Sequence, residues 1–361
     1  MQRLRPICLC LLVCASWYSP ALAKANELAS VGRQDDESVV LFAIDEQSIP
    51  LRDNLALYLT KPTVRPDAVV TPERNNPNAP DQLAAHFYGT VLHDEGKFRM
   101  WYYGAHRAGG RWKIKGQPCY AESDDGIHWV KPKLGQVEIH RSKENNGIAL
   151  VREDTQGITL IKDESDADAA RRYKMVFQYM PRDYPTLRTA VSADGLNWTT
   201  LSDLPARQFR EQASFFKHDG RYIVCGHTTS SDVLGNSRGR QGFAWVSSSF
   251  DQWPIEQAES FLLPEPRPAR GDRWKQRFDQ VHLGVGAASF GNIAIGLYGR
   301  WHERGWGEGG TSCDLCLVIS NDGIHFREPV AGSQFIGADE ISLPRSATRL
   351  HCNTCCRHSS T

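Results

Sequence analysis

The stretch SNDGIHFREP, Ser320–Pro329, is the last of several copies of one phrase. SDDGIHWVKP starts at Ser123, SADGLNWTTL at Ser192, and a worn copy, SSSFDQW, at Ser247. Each follows an apolar or alternating run. The well-kept copies then hold Ser, a short acidic or polar pair, Gly, two residues and an aromatic. Ser and Asp side chains hydrogen-bond to the amides of a tight turn, and Gly takes the φ > 0 that such a turn needs. Trp129, Trp198 and Phe326, three residues beyond each Gly, then fall on the returning strand, where they are expected to pack against a neighbouring sheet. The phrase reads as a hairpin between two antiparallel strands.

Spacing decides the architecture. The copies recur at about 55 to 75 residues, long for a solenoid repeat and suited to a four-stranded blade with its loops. A second strand pair precedes most copies: Phe87–Gly104 turns at Asp94-Glu95-Gly96, Ala213–His227 at Asp219-Gly220, and Leu283–Trp301 at Gly291-Asn292. Gly157–Met180 does the same with a longer acidic loop. The expectation is an all-β chain, a β-propeller of four-stranded antiparallel blades, five-bladed with an incomplete last blade. A sandwich has no reason to repeat one hairpin at this interval. Blades are placed at about 85–135, 145–203, 210–256 and 278–330. Residues 1–23 read as a signal peptide, 24–84 as a strand-and-coil lead-in, 85–330 as the blades, and 331–361 as an incomplete fifth blade or a Cys-rich tail. Within the lead-in, Ser38–Leu51 has strand character and could join the last blade to close the ring, whereas Lys61–Gln82, rich in Pro and Asn, reads as coil.

Composition agrees with β structure: ten Trp, eleven Tyr and thirty Gly among 361 residues. The net charge of +0 leaves no electrostatic footprint for nucleic acid or an anionic membrane. Arg3 and Arg5, a short apolar run and Ala21-Leu22-Ala23 have the layout of a secretory signal peptide. The run is too short to span a bilayer comfortably, so a secreted or periplasmic protein is expected, with no membrane partner after cleavage. Of the cysteines beyond it, Cys313/Cys316 and Cys352/Cys355 form two C-x-x-C pairs. Four thiolates can close a zinc site, but Cys313 and Cys316 sit on a strand, where residues three apart face opposite ways. Export also favours disulfides. No metal and no cofactor are expected.

Gly96–Gly104 (GKFRMWYYG), the Ser-x-Asp-Gly-x-x-Trp hairpins, Arg171–Gln178 (RRYKMVFQ) and Leu41–Ile49 (LFAIDEQSI) resemble exported bacterial proteins related to five-bladed glycoside hydrolases, those of families 32 and 43. The resemblance implies a carbohydrate substrate held in the funnel on the ring's axis, where inner strands deliver three acids. It implies Asp81 as general base or nucleophile, Asp163 as orienting carboxylate and Glu211 as general acid, with Asp279 able to replace any of these. For sugar recognition it points to His86, Trp101, Tyr103, Arg273 and His282. The WMNDPNG, RDP and EC signatures of family 32 are missing. The alternative is a propeller that binds glycan or protein without chemistry, since fold alone does not set function. For Trp101 the competing role is packing between blades.

Overall fold

The computed structural model describes residues 42–107, 114–150, 154–180, 186–203, 211–231, 237–254, 258–261, 263, 280–302, 312–338 and 340. Among them, antiparallel strands form four sheets. The first holds β1 (Ala84–Asp94), β2 (Lys97–Arg107) and β3 (Ile114–Ser123). The second holds β4 (Asp154–Lys162), β5 (Tyr173–Met180), β6 (Thr186–Ser192) and β7 (Thr199–Asp203). The third holds β8 (Glu211–His218), β9 (Arg221–Ser231), β10 (Ser237–Ser247) and β11 (Ala258–Phe261). The fourth holds β12 (Gln280–Ser289), β13 (Ala294–His302) and β14 (Ser312–Ser320). Each sheet is a meander in chain order, and the sheets are blades of a β-propeller, as expected from the hairpins.

The repeated phrase performs the turn predicted for it. In the first copy Ser123 Oγ accepts from Gly126 N at 2.9 Å, while Asp125 Oδ1 accepts from Ile127 N and His128 N at 2.8 and 2.7 Å. Asp194 and Asp322 take the same bonds in their copies. Gly126, Gly195 and Gly323 have φ of 73, 76 and 74°. The returning strand is a full strand in the second and third blades. In the first and fourth it shrinks to isolated bridges, Glu122 to Val130 and Cys119 to Gly147 in the one, Ile319 to Arg327 and Leu315 to Ile336 in the other.

Three apolar interfaces hold the blades face to face. Trp101, Tyr120, Leu160, Met175 and Phe177 join the first blade to the second. Val176, Phe215, Val224, Trp245 and Trp253 join the second to the third, and Phe216, Ile223, Val285, Tyr298 and Phe326 join the third to the fourth. The inner strands β1, β4, β8 and β12 touch in that order. Leu160 N donates to Thr90 Oγ1 at 3.0 Å and Ser214 Oγ to Val285 O at 2.6 Å, so the inner strands run alongside one another with matched ends.

Between the fourth blade and the first, the lead-in takes the place of an apolar interface. Phe42 meets Phe290 edge-on at 5.9 Å, and Asp45 accepts from Asn321 Nδ2 at 3.1 Å. Further on, Lys61 pairs with Glu340 and Val70 packs beside Tyr102 and Cys119. The described part of the expected strand, Phe42–Pro50, is a series of turns. It does join the last blade, but through side chains, because turns offer no run of amides to extend a sheet. Ser38–Leu41 and the signal-peptide segment lie outside the described residues. So do residues 303–311. Among the described residues no helix is long and apolar enough to cross a membrane. Cys119, Cys225, Cys313 and Cys316 are free thiols, and Cys352, Cys355 and Cys356 lie outside the description.

Candidate functional site at the axis

The two ends of the axis differ in chemistry. At the end where the inner strands start, every one of them carries a β-bulge at the same level. The register shifts between His86 and Gly89, Gln156 and Ile158, Gln212 and Ser214, and His282 and Val285. A bulge twists and re-aims the strand, a device often found beside binding sites. The residues just ahead of the shifts are polar in every blade, His86, Gln156, Gln212 and His282, and mark this level as a collar. His86 lies against Tyr103 and Tyr88 at ring separations of 5.2 and 5.6 Å. Burial, helped by the nearby Arg240 guanidinium, pushes His282 down to about 4, so its imidazole is neutral at neutral pH. Gln212 is buried, and its Nε2 donates to Gly157 O of the neighbouring inner strand.

At the other end is a cavity of about 1070 Å³, bordered by the second halves of the inner strands and by Ile295, Leu297, Leu317 and Phe335. Of its three carboxylates, Asp219 is exposed in the β8–β9 turn, and the two buried ones are spent on joining blades. Asp94, closing β1, accepts from Arg99 at 3.0 Å, Lys162 at 2.6 Å and the Tyr173 hydroxyl. Asp163, just after β4, accepts from Tyr222 at 2.5 Å, Ser165 Oγ at 2.7 Å and Lys217 at 3.1 Å, with Lys174 Nζ at 3.2 Å. The plan is the same in both. An acid ending one inner strand holds a Tyr that starts the second strand of the next blade, beside a Lys ending that blade's inner strand. Burial alone would raise Asp163, but the bonds from Tyr222, Ser165 and Lys217 outweigh it and hold the carboxyl well below the usual range.

The expected acids are accordingly not all brought together. Asp81 lies three residues ahead of β1, and Glu211 begins β8 opposite His227, both at the collar end. Asp163 is at the far end of β4, roughly 25–30 Å from the collar end at about 3.3 Å per residue. The acid that starts β4 is Asp154, opposite Met180. Sequence reasoning passed over it. Its signal was available, since it begins its strand as Glu211 begins the next. Asp279 and Arg273 lie outside the described residues. His86, Tyr103 and His282 are at the collar. Trp101 is committed to packing: it donates Nε1–H to Gly195 O of the next blade at 2.6 Å, lies under the Arg99 guanidinium at 4.9 Å and belongs to the core between the first two blades. Packing between blades has claimed it.

Asp81 is fully buried. Its Oδ2 accepts from the Tyr102 hydroxyl at 2.8 Å and from Lys131 at 2.5 Å, while Oδ1 has no hydrogen-bond partner. The fourth blade repeats this corner with the charges exchanged. Tyr298, which pairs with Cys316 as Tyr102 pairs with Cys119, donates to Glu328 at 2.6 Å, and Arg300 lies 3.3 Å from the same oxygen. Glu328 holds the place in FREP that Lys131 holds in WVKP. The ion pair at Asp81 thus has a structural counterpart, and one unpaired oxygen sets it apart.

Comparison with solved structures follows this geometry. One similar structure belongs to the GH130 family of mannoside phosphorylases, which contains glycoside hydrolases that target β-1,2 mannosidic linkages in Candida mannan. It is 15% identical with a TM-score of 0.52, over 80% of this chain and 83% of that chain. What the two share is the β-propeller fold. A candidate glycoside hydrolase from Bacteroides ovatus is also similar, at 15% identity and a TM-score of 0.50, over 77% of this chain and 84% of that one. At such identities the likeness is one of fold. No family model matches the chain, and no curated protein matches it.

Proposed function

We propose that the chain is an exported glycoside hydrolase acting on a poly- or oligosaccharide at the collar end of the axis. Asp81 and Glu211 are its working carboxylates, with Asp154 as the acid of the second blade. One observation carries the reading: acids precede or start three successive inner strands at the end where the polar bulge residues lie, and the two buried acids at the other end, Asp94 and Asp163, are locked in ion pairs. Such a site works by one carboxyl protonating the leaving oxygen while another activates water or attacks the sugar, across a separation of about 5 to 9.5 Å. The unpaired Oδ1 of Asp81 supplies an acceptor for water.

The test is reducing-sugar release by the mature protein on a polysaccharide panel, beside Asp81→Asn and Glu211→Gln. Loss of about 100-fold or more in both, with unchanged thermal unfolding, is expected. Activity that survives both substitutions removes these two residues from the mechanism. A second reading, a glycan-binding propeller without hydrolysis, is favoured by the full burial of Asp81 and its Lys131 pair. Saturable glycan binding with no release of sugar from any substrate would decide for it.

A further inference from the structure

We propose that Gln212 sets specificity at the floor of this site, its Oε1 accepting a hydroxyl hydrogen from an uncharged sugar ring. The inference rests on the carbohydrate reading above and names what that site recognises. The orientation of the amide is fixed by chemistry. Gly157 O is only an acceptor, so Nε2 must face it, and a flipped amide would set two oxygens against each other. Gly157 permits the close approach: its φ is 49°, and a Cβ there would stand 3.2 Å from Gln212 Nε2. Oε1 is left buried and without any hydrogen-bond partner. An acceptor buried without a donor is costly, and a ligand hydroxyl supplies that donor. Beside it the collar offers two neutral hydrogen-bonding groups, His282 and the second amide Gln156, while the charges at this end belong to Asp81, Glu211 and Arg240. A ring hydroxyl satisfies that demand. A deoxy position or a carboxylate at the same point does not, because the first brings Oε1 no donor and the second opposes it with another acceptor.

The experiment titrates methyl glycosides of glucose, galactose, mannose, xylose and arabinose against the wild-type chain, Gln212→Met and Gln212→Glu, with thermal unfolding in parallel. Gln212→Met keeps the length and removes both polar ends, and it should weaken binding by about 10- to 100-fold with little change in unfolding. Gln212→Glu should bind poorly at neutral pH and recover toward wild type as its carboxyl protonates. The acid form again donates to Gly157 O and keeps a carbonyl acceptor. This pH profile is one that a purely structural role would not produce, and it decides the matter if Gln212→Met fails to fold. Wild-type affinity in Gln212→Met, or a Gln212→Glu profile parallel to wild type, overturns the inference and leaves the carbohydrate reading standing. Failure of the wild-type chain to bind any of the glycosides overturns both.

Discussion

At the residue scale, the hairpin phrase works within a few positions of itself, which is why it could be read directly. Asp194 and Ser192 satisfy amides two and three residues away, and no distant partner is needed to define the turn. The glycines are similar locally but differ in what surrounds them. A Cβ on Gly195, at φ 76°, would stand 2.8 Å from Trp101 Cζ2, whereas one on Gly220, at φ 71°, meets nothing within 4 Å. Gly220→Ala should therefore cost only the left-handed backbone, about 1–2 kcal/mol. Gly195→Ala should add overpacking of about 1–3 kcal/mol. Urea unfolding of the two variants checks this, and equal losses would show that Trp101 yields without cost. The turn was legible at both sites; the crowding at Gly195 was not, because Trp101 comes from another blade.

Elements are tied by contacts that no local pattern announces. Asp94 looked like one more turn acid, and it does end its strand, yet it is buried and clamps the second blade through Tyr173 and Lys162. Burial opposes its charge, but the bonds from Lys162, Tyr173 and Arg99 prevail and lower it from 3.8 to about 2. A depressed carboxyl stabilises the fold above its unfolded value and loses that contribution as pH falls through the folded one. The clamp should contribute on the order of 2 kcal/mol at neutral pH, fading between about pH 4 and about pH 2. Asp94→Asn should lose that amount near neutrality and show a flatter acid limb in urea midpoints measured from pH 5 to pH 2. Parallel curves for variant and wild type would overturn the clamp's role. The same geometry explains why Asp163 misled: its sequence position, at the close of a first strand, is that of Asp94.

For the whole molecule, the lead-in bridges the fourth blade to the first. Asp45 is fully buried and accepts from Gln47 N, Ser48 Oγ and Asn321 Nδ2 at 3.1, 2.9 and 3.1 Å, with Arg327 at 3.7 Å. Removing these acceptors leaves donors unpaired, and Asp45→Ala should cost about 1–3 kcal/mol. If the bridge matters to the ring, hydrogen exchange should quicken in β14, which leads into Asn321, more than in β5. Uniform exchange would place the effect in the lead-in alone.

The sequence by itself determined the blades, their turns and their order, because a hairpin is specified by neighbours: a Ser and an Asp that bond nearby amides, a Gly free to take positive φ, and an aromatic on the return. It also marked the acids that precede inner strands. What it left open, the tertiary structure decided. Trp101 went to a core, Asp163 to a clamp and Asp81 to a buried ion pair, while Gln212 gained an amide bond and kept one unused oxygen. Burial and charge pairing depend on which blade lies alongside, and that is set only when the ring assembles.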